Sequence, residues 1–380
     1  MHPLACAYSL DFVFKPIWIR YSPLLNSMPI QVKAYGVTSS SSPVGPLTIK
    51  RRDPGDDDVE IDIEFCGICH SDIHTAHQDW LPEENRSSDG YPIVPGHEII
   101  GKVARVGRNV SEYKVGDKVG VGCMIDSCGE CSMCKSGEEI PCENGVVLTY
   151  NSPDPDFDGV TQGGYSQKIV VKKHFVLRIP ENIYKPGAAP LLCAGITSWT
   201  PLAEAGIKPG MKVAVVGLGG LGHMGVKFAV ALGAEVYVVT TSKAKESKAL
   251  ELGAKGAIVS SDAEEMARFT SYFDFILNTV PVPHDVLTYV PLMKFGTTQC
   301  IVGVLQPLTF NFAPLVIGKK ALKGSPIGSI KQTQEMLDFC GEKEILAEIE
   351  QVDYDKVNEA WDRVLKNDVY YRFVLNNASL

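Results

Sequence analysis

Four cysteines stand close together in one polar stretch of the chain. Cys128, Cys131, Cys134 and Cys142 follow the spacing C-x2-C-x2-C-x7-C. Four thiolates at this spacing can close a tetrahedron around one zinc ion and leave no open position, which makes the site structural. An iron–sulfur cluster is the main alternative, because similar close spacings bind those clusters. The residues between the cysteines are polar, which argues against four unrelated buried thiols, so we expect zinc.

A second set of possible metal ligands is spread along the chain. Cys69, His97 and Cys193 each lie in a short segment that also contains glycine. Alone, a histidine beside a glutamate is more often a satisfied polar pair, and a cysteine in an apolar stretch is more often a core residue. Together the three supply two thiolates and one imidazole, a set that can hold a catalytic zinc and leave a fourth position for water or substrate.

A glycine-rich turn follows an apolar run in the second half of the chain. The apolar run is 212–216, and a helix-like stretch to Leu232 and a second apolar run, 235–239, come after the turn. This is a βαβ unit of about 30 residues. In that context G-x-G-x-x-G binds a dinucleotide, because glycines let the backbone approach a pyrophosphate and the helix N-terminus supplies N–H donors. The candidate residues are Gly217, Gly219, Gly220, Leu221 and Gly222.

The residues after the second apolar run indicate which dinucleotide binds. A site for NAD should show Asp or Glu about 20 residues on, to bind the ribose 2′-hydroxyl. This chain has Thr240, Thr241 and Ser242, followed by Lys243 and Lys245. Hydroxyls can donate to a 2′-phosphate and a lysine can pair with it, whereas a carboxylate would repel it. The pattern favours NADP(H), with both lysines as candidates.

The character of the sequence changes near residue 180. Before it, short alternating runs predict strands, with a loop rich in Pro, Asp and Gly at 151–164. After it, continuous apolar runs predict buried parallel strands, and the tail 333–372 returns to a helix followed by a strand. Besides the two strands of the βαβ unit, the predicted strands are 59–65, 114–119, 167–171, 275–277 and 298–302. We expect a discontinuous first domain with a nucleotide-binding domain inserted into it.

Length, charge and cysteine content limit the class of protein. The chain has 380 residues, of which 45% are apolar, and a formal net charge of −9. This charge argues against nucleic acid or an anionic membrane surface as the main partner. No apolar run approaches the length of about 18 residues that a membrane span needs. The 11 cysteines are clustered locally, which favours metal sites in a reducing compartment, so we expect a cytoplasmic protein.

Residues 1–27 differ from the rest of the chain. The segment contains two basic residues, Lys15 and Arg20, and one acidic residue, Asp11. Its apolar residues form patches with no regular spacing. We expect a disordered leader before a natural start at Met28. A weak organelle-targeting segment is the alternative, although the Arg and Ser content expected of one is poor.

The motifs together carry a resemblance over residues 28–380. The chain resembles the zinc-dependent medium-chain dehydrogenase/reductase superfamily and, within it, the cinnamyl alcohol dehydrogenase branch with its broad-range aldehyde reductases. The matching segments are 66–72, 96–101 with Gly107 and Val110, the four-cysteine segment, 217–223, 324–328 and 334–339.

The resemblance implies a fold and a domain arrangement. The fold class is α/β, with a GroES-like, mostly β catalytic domain and a Rossmann domain built on a doubly wound parallel sheet. The catalytic domain would comprise residues 28–183 and 325–380, with a structural-zinc lobe at about 123–145. The NADP-binding domain would comprise residues 184–324. A homodimer is also implied.

The resemblance assigns roles around the catalytic zinc. Cys69, His97 and Cys193 would hold the metal, with Glu98 beside it and able to exchange with the open position. Asp72 would hydrogen-bond His97, fix its tautomer and raise its basicity.

Further roles concern the proton and the bound molecules. Ser71 would contact the substrate oxygen and relay a proton through the cofactor ribose to His74, and a spacing of three places both on one helix face. Lys245, three residues after Ser242, matches the lysine of NADP-dependent members. The remaining candidates are Thr197 for the cofactor and Trp80, Leu81 and Trp199 for an apolar or aromatic substrate pocket.

The predicted activity is that of an NADP-dependent zinc alcohol dehydrogenase or aldehyde reductase with two zinc ions per subunit. Zinc would polarise the aldehyde oxygen, and hydride would pass between NADP(H) and a primary alcohol or aldehyde, aromatic or of medium chain length. An NAD-dependent polyol or secondary-alcohol dehydrogenase should instead carry an acid after the second strand and a polar pocket. A zinc-stabilised binding or redox-sensing protein should lack a ligand or the Ser71 relay.

Five cysteines lie outside both sets, and one of them, Cys6, belongs to the leader. Cys66 should end a strand without binding metal, and Cys123, Cys300 and Cys340 stand in apolar settings that predict core thiols.

Overall fold

The structure is a computed structural model that describes residues 29–81, 83–87, 90–303 and 311–380. The predicted leader, 1–27, lies outside the described residues. The strands are β1 (Ile30–Gly36), β2 (Gly45–Arg51), β3 (Asp58–Ile68), β4 (Ile99–Val106), β5 (Lys118–Val121), β6 (Met124–Asp126), β7 (Val147–Leu148), β8 (Lys168–Lys172), β9 (Leu177–Arg178), β10 (Lys212–Val216), β11 (Glu235–Thr240), β12 (Gly256–Val259), β13 (Phe273–Asn278), β14 (Met293–Ile301), β15 (Ala321–Gly324), β16 (Ile349–Val352) and β17 (Arg372–Asn376).

Helices connect and cover these strands. The α-helices are α1 (His70–His77), α2 (Ser132–Lys135), α3 (Ala194–Glu204), α4 (Gly222–Ala231), α5 (Glu246–Glu251), α6 (Ala263–Ala267), α7 (Ala313–Gly318), α8 (Ile330–Lys343) and α9 (Val357–Leu365). Short 3-10 helices lie at Glu83–Asn85, Lys173–Phe175, Glu181–Ile183, Pro186–Leu192, Lys243–Lys245, Val286–Leu292, Tyr354–Lys356 and Asn377–Ser379. No helix in the described ranges has the length and apolarity that a membrane span requires.

One sheet brings three distant segments to the same end. In the described chain its strand order is β16-β17-β3-β4-β5-β9, and β8 also pairs with β3. β3 runs antiparallel to both β4 and β17, with Cys66 opposite Ile99 and Ile68 opposite Phe373. The end of β3 therefore lies beside the starts of β4 and β17. This pairing places the residues after Ile68, before Ile99 and at Arg372 next to one another.

The second sheet is parallel throughout. Among the described strands its order is β12-β11-β10-β13-β14-β15, so successive connections turn to opposite sides of β10. Such a reversal opens a crevice at the carboxyl ends of the strands, where ligands bind in doubly wound folds. The predicted glycine-rich turn begins directly after β10. These two sheets confirm the predicted α/β class.

Most predicted elements are found, with two differences. β10 has the predicted bounds, and the strands at 59–65, 167–171 and 235–239 lie within or beside β3, β8 and β11. The strand predicted at 114–119 begins only at Lys118, because Asp117 turns the chain by accepting from the backbone N–H of Lys114.

The second difference is in the tail. The tail after residue 333 holds two helices and two strands, since α8, β16, α9 and β17 alternate there. The predicted domain limits at 183 and 324 stay predictions.

Two helices next to the crevice share one core. α3 follows Cys193 directly, and its buried side chains pack with those of α8, including Met336, Leu337 and Cys340. Cys300 and Cys340 are buried in this core, as predicted. Because Cys193 is the N-cap of α3, the packing of α3 sets the position of its thiol.

Candidate metal and cofactor site

The four residues of the predicted catalytic metal site meet in space. The Sγ atoms of Cys69 and Cys193 are 3.9 Å apart. These two atoms, a ring nitrogen of His97 and a carboxylate oxygen of Glu98 all lie within 4.8 Å of one another. Two sulfurs bound to one tetrahedral zinc, at about 2.3 Å each, would be about 3.8 Å apart. The spacing of the donor atoms therefore fits one zinc ion.

Two buried polar atoms point to a cation at this place. His97 Nε2 and Glu98 Oε2 have no hydrogen-bond partner among the described residues. Buried polar atoms are rarely left without partners. Burial alone would lower the pKa of His97, but the charges of Cys123 and Asp72 and the thiol of Cys69 raise it well above 6.5. The cluster thus attracts positive charge, which a metal ion would supply.

Asp72 contacts His97 and the backbone of Cys69 from the side away from the other donor atoms. It is fully buried, and its Oδ1 lies 3.4 Å from His97 Nδ1. The same carboxylate accepts hydrogen bonds from the backbone N–H groups of Cys69 (2.9 Å) and Gly96 (3.1 Å) and from the Tyr165 hydroxyl (3.2 Å). Burial raises the pKa of Asp72, against the effect of His97. The predicted contact between Asp72 and His97 is present.

A partner of Glu98 was missed by the sequence prediction. Arg372 Nη2 forms a buried ion pair with Glu98 Oε1. Burial raises the pKa of Glu98 to about 8, although Arg372 opposes the shift. A Cβ added at Gly220 would lie 2.9 Å from Arg372 Cδ and Nη1, so the same side chain also packs against the glycine-rich turn. Glu98 and Arg372 are 274 positions apart, and no local pattern signals the pair.

The four-cysteine set forms a second cluster. The Sγ atoms of Cys128 and Cys134 are 3.8 Å apart, those of Cys131 and Cys142 are 4.0 Å apart, and all four lie within 4.8 Å. These separations fit four sulfurs around one tetrahedral ion. Burial alone would raise the pKa of Cys128, but backbone N–H groups of Glu130 and Cys131 lower it to about 6, which favours the thiolate a metal requires.

The two residues predicted to carry the proton lie on α1. Ser71 Oγ is 3.7 Å from Cys69 Sγ, so it borders the first cluster. His74 is one turn further along the helix, is half-buried and has Nδ1 2.9 Å from Asp79 Oδ2. The helix predicted from the spacing of the two residues is present. Their roles stay predictions.

The glycine-rich turn has the geometry its sequence predicts. Gly217 adopts a φ of 89°, which residues with a side chain avoid. A Cβ at Gly222 would lie 2.1 Å from the Gly217 carbonyl oxygen, so only glycine lets α4 begin this close. A Cβ at Gly219 would meet no described atom within 4 Å, so this face of the turn is open.

α3 packs against the same turn. Ser198 Oγ, which the sequence prediction missed, donates to the Leu221 carbonyl at 2.9 Å. Thr197 is its buried neighbour and donates its backbone N–H to the Cys193 carbonyl. The turn and the metal cluster are therefore joined by the first turns of one helix.

The structure distinguishes the two candidate lysines for a 2′-phosphate. Lys245 Nζ lies 3.5 Å from the Leu218 carbonyl, beside the glycine-rich turn. Lys243 Nζ instead pairs with Glu246 at 3.0 Å and Glu265 at 3.6 Å. Of the two lysines, Lys245 is the one that reaches the glycine-rich turn, and its role toward a cofactor stays a prediction. The three hydroxyl residues between β11 and these lysines are Thr240, which is buried, and Thr241 and Ser242, which are exposed.

One pocket prediction is wrong. Trp199 is 8% exposed and packs between Phe228 and Phe339, with ring centroids 5.4 and 4.8 Å away. Six residues after Cys193, the turn of α3 directs this side chain into the core. Trp80 is 45% exposed, and its ring lies 5.8 Å from that of His74, so its role in a pocket stays a prediction.

The prediction for Cys123 is also wrong. This residue is half-buried, and the thiol of Cys193 lowers its pKa by hydrogen bonding. Its Sγ lies 3.9 Å from the Leu192 carbonyl oxygen, directly before Cys193, so Cys123 borders the first cluster and is no core thiol. Cys66 is buried in β3 outside the cluster, as expected.

Comparison with known proteins decides the family. Residues 55–181 match the alcohol dehydrogenase GroES-like domain, and residues 220–342 match the zinc-binding dehydrogenase family. An aldehyde reductase of Escherichia coli K12 is 48% identical over 357 residues, covering 92% of this chain and 99% of that protein. The chain belongs to the zinc-dependent medium-chain dehydrogenase/reductase superfamily.

Other members of this superfamily agree. The NADP-dependent alcohol dehydrogenase C 1 of Mycolicibacterium smegmatis is 48% identical over 351 residues, which cover 92% of this chain and 99% of that one. The solved structure of a cinnamyl alcohol dehydrogenase from Sorghum bicolor superposes with a TM-score of 0.87 at 42% identity, over 92% of this chain and 98% of that one. The predicted family, fold and enzyme class, an oxidoreductase acting on CH–OH groups, are confirmed.

Removing one lobe cysteine should cost the lobe its metal. Cys131→Ala should lower the zinc content by one ion per chain and lower the melting temperature, because a structural zinc contributes folding energy directly. Elemental analysis and thermal unfolding measure both. Lys135→Ala, an exposed change in the same lobe, should alter neither. Unchanged zinc content in Cys131→Ala would contradict the metal site.

Proposed function

We propose that the protein interconverts primary alcohols and aldehydes with NADP(H), using one catalytic and one structural zinc per chain. The observation that carries this proposal is the first cluster: two thiols, an imidazole and a carboxylate within 4.8 Å, joined through Arg372 and α3 to a dinucleotide turn. The relatives named for aldehyde reduction, NADP dependence and cinnamyl alcohol support the substrate class, aromatic or of medium chain length.

The chain's own side chains hold the reactants and move the proton. When bound, zinc supplies Lewis-acid polarisation of the carbonyl oxygen, and NADPH supplies hydride. Cys69, His97 and Cys193 bind the metal, and Ser71, next to Cys69, donates a hydrogen bond to the substrate oxygen. His74 exchanges the proton with solvent, since its ring is half-buried and hydrogen-bonded to Asp79.

Two parts of the crevice orient the cofactor. The glycine-rich turn accepts the pyrophosphate at the N-terminus of α4, where unpaired N–H groups favour an anion. Lys245 and the hydroxyls of Thr241 and Ser242 hold the 2′-phosphate. The absence of an acid among residues 240–245 removes the group that would select NAD.

A second copy of the chain completes the assembly. β15 is an edge of the parallel sheet, and nearby Phe295, Val316 and Ile317 are 71%, 76% and 81% exposed. Exposed edges invite pairing with another strand, and exposed apolar side chains mark interaction sites. A two-fold axis beside β15 would pair the edge with its own copy and cover these side chains.

Loss of a catalytic ligand should abolish aldehyde reduction. Cys69→Ala or His97→Ala should lower kcat at least about a hundredfold. Loss of a residue that only hydrogen-bonds to a metal ligand already lowers metal affinity or activity by up to about a hundredfold. NADPH oxidation with benzaldehyde, cinnamaldehyde and a short aliphatic aldehyde measures it, with and without a chelator. Cys66→Ala removes a nearby buried thiol outside the cluster and should stay active. Full activity in Cys69→Ala would refute the assignment.

The two lysines form a matched pair for the cofactor. Lys245→Ala should raise the KM for NADPH about tenfold or more and leave the KM for NADH nearly unchanged, because one charge-assisted contact to the 2′-phosphate is lost. Lys243→Ala should change neither value, since its partners are Glu246 and Glu265. Steady-state kinetics with both cofactors decide, and equal effects of the two substitutions would disprove the role of Lys245.

The assembly can be tested with a charged substitution. Val316→Glu should convert a dimer into a monomer, because it puts a charge into an apolar interface. Val115→Glu, at a similarly exposed valine in the turn before β5, should leave the dimer intact. Size-exclusion chromatography with light scattering gives the mass. A monomeric wild-type protein would contradict the proposed dimer.

A further inference from the structure

One acid between the first and last cysteines of the four-cysteine lobe is buried. Across residues 129–141, all of which the structure describes, Glu139 is the only buried residue, and it is 2% exposed. Carboxylates are rarely buried unless they are paired. Glu139 is not one of the clustered ligands of the lobe. Its side chain therefore points from the lobe into the rest of the protein.

Glu139 joins three segments that are distant in sequence. Its Oε1 lies 2.8 Å from Nε2 of His174, just after β8, and its Oε2 accepts a hydrogen bond of 3.1 Å from the backbone N–H of Ile330. Burial alone would raise the pKa of Glu139, but these two partners lower it below its usual value. The carboxylate is thus ionised at neutral pH and held between His174 and the first residue of α8.

This contact completes the N-terminus of α8. The first N–H groups of a helix have no partner inside the helix. Ser329 and Gln332 satisfy two of them in a capping box. Glu139 adds an acceptor for Ile330 and places a negative charge at the positive end of the helix. The start of α8 therefore depends on a residue of the lobe.

α8 in turn packs against the helix that carries Cys193. The ring centroids of Phe339 and Trp199 are 4.8 Å apart, and a Cβ added at Gly195 would lie 3.2 Å from Met336 Sδ. Cys193 is the N-cap of α3, two residues before Gly195. With so little space between the helices, a shift of α8 would displace the backbone next to Cys193.

We propose that Glu139 is a positioning residue that ties the four-cysteine lobe to α8, so that metal binding in the lobe helps to fix Cys193 in the catalytic cluster. The proposal rests on the proposed function in one respect, the role of Cys193 as a zinc ligand. Every residue of 129–141 other than Glu139 is exposed or half-buried, so the lobe has little apolar packing of its own. Its shape, and hence the place of Glu139, depends on its metal.

The test compares two neighbouring glutamates in the full-length, zinc-loaded protein. Glu139→Ala removes the link, and Glu138→Ala removes the same charge from an exposed position in the same lobe. Zinc content should be the same in both variants and in the wild type. In hydrogen–deuterium exchange, peptides covering α8 should exchange about tenfold faster in Glu139→Ala only, because a partly buried, charge-assisted hydrogen bond to the Ile330 N–H is lost.

The second half of the test asks whether the effect reaches Cys193. In Glu139→Ala a chelator should remove the catalytic zinc about tenfold faster than in the wild type. The kcat should fall in Glu139→Ala and keep its wild-type value in Glu138→Ala. Glu139→Gln keeps an oxygen that accepts from the Ile330 N–H but loses the charge. Its exchange and zinc-release rates should therefore lie between those of the wild type and those of Glu139→Ala.

Three results would overturn the proposal. They are α8 exchange in Glu139→Ala equal to the wild type, equal acceleration in Glu138→Ala, and faster α8 exchange with an unchanged rate of catalytic zinc release. If Glu139→Ala does not fold, Glu139→Gln replaces it, and wild-type rates in that variant overturn the proposal as well. Failure of the proposed function has another signature, because the wild-type protein would then lack a second zinc or fail to reduce aldehydes.

Discussion

The crowding of donor atoms at one buried point constrains the rest of the structure. Two thiols, an imidazole and a carboxylate lie within 4.8 Å of one another. In a low dielectric such groups repel or must take up protons unless a cation joins them. The antiparallel pairing of β3 with β4 and β17 brings the segments after Ile68 and before Ile99 to this point. α3 brings Cys193 from the other side.

The crevice of the parallel sheet lies next to this crowded cluster. The parallel sheet reverses its connections at β10, and the glycine-rich turn that follows lies against α3 and Arg372. Arg372 pairs with Glu98 beside the metal cluster and touches Gly220 in the turn. A nucleotide bound at the turn and a metal bound at the cluster would therefore act on one guanidinium. Hydride transfer requires the nucleotide and the metal-bound substrate to lie close together. The short distance between the turn and the cluster meets this requirement.

The lobe makes a different use of its cysteines. Its four cysteines follow one another within fifteen residues, so a metal bound by them would order a segment that lacks a core of its own. The donor atoms of the first cluster come from three separate segments, so their position depends on the packing of both sheets and of α3. Glu139 connects the lobe to the rest of the protein, because it contacts His174 after β8 and the first N–H group of α8.

The sequence alone determined what is local along the chain: the spacing of the lobe cysteines, β10 with its glycine-rich turn, and the missing acid after β11. Ligand motifs and strand periodicity depend on neighbouring residues, so a pattern suffices. Only the tertiary structure decided that Arg372 pairs with Glu98, that Trp199 faces the core, that Cys123 borders the metal cluster and that Lys245 reaches the turn. The direction of each of these side chains is set by packing between segments far apart in sequence, which a local pattern does not encode.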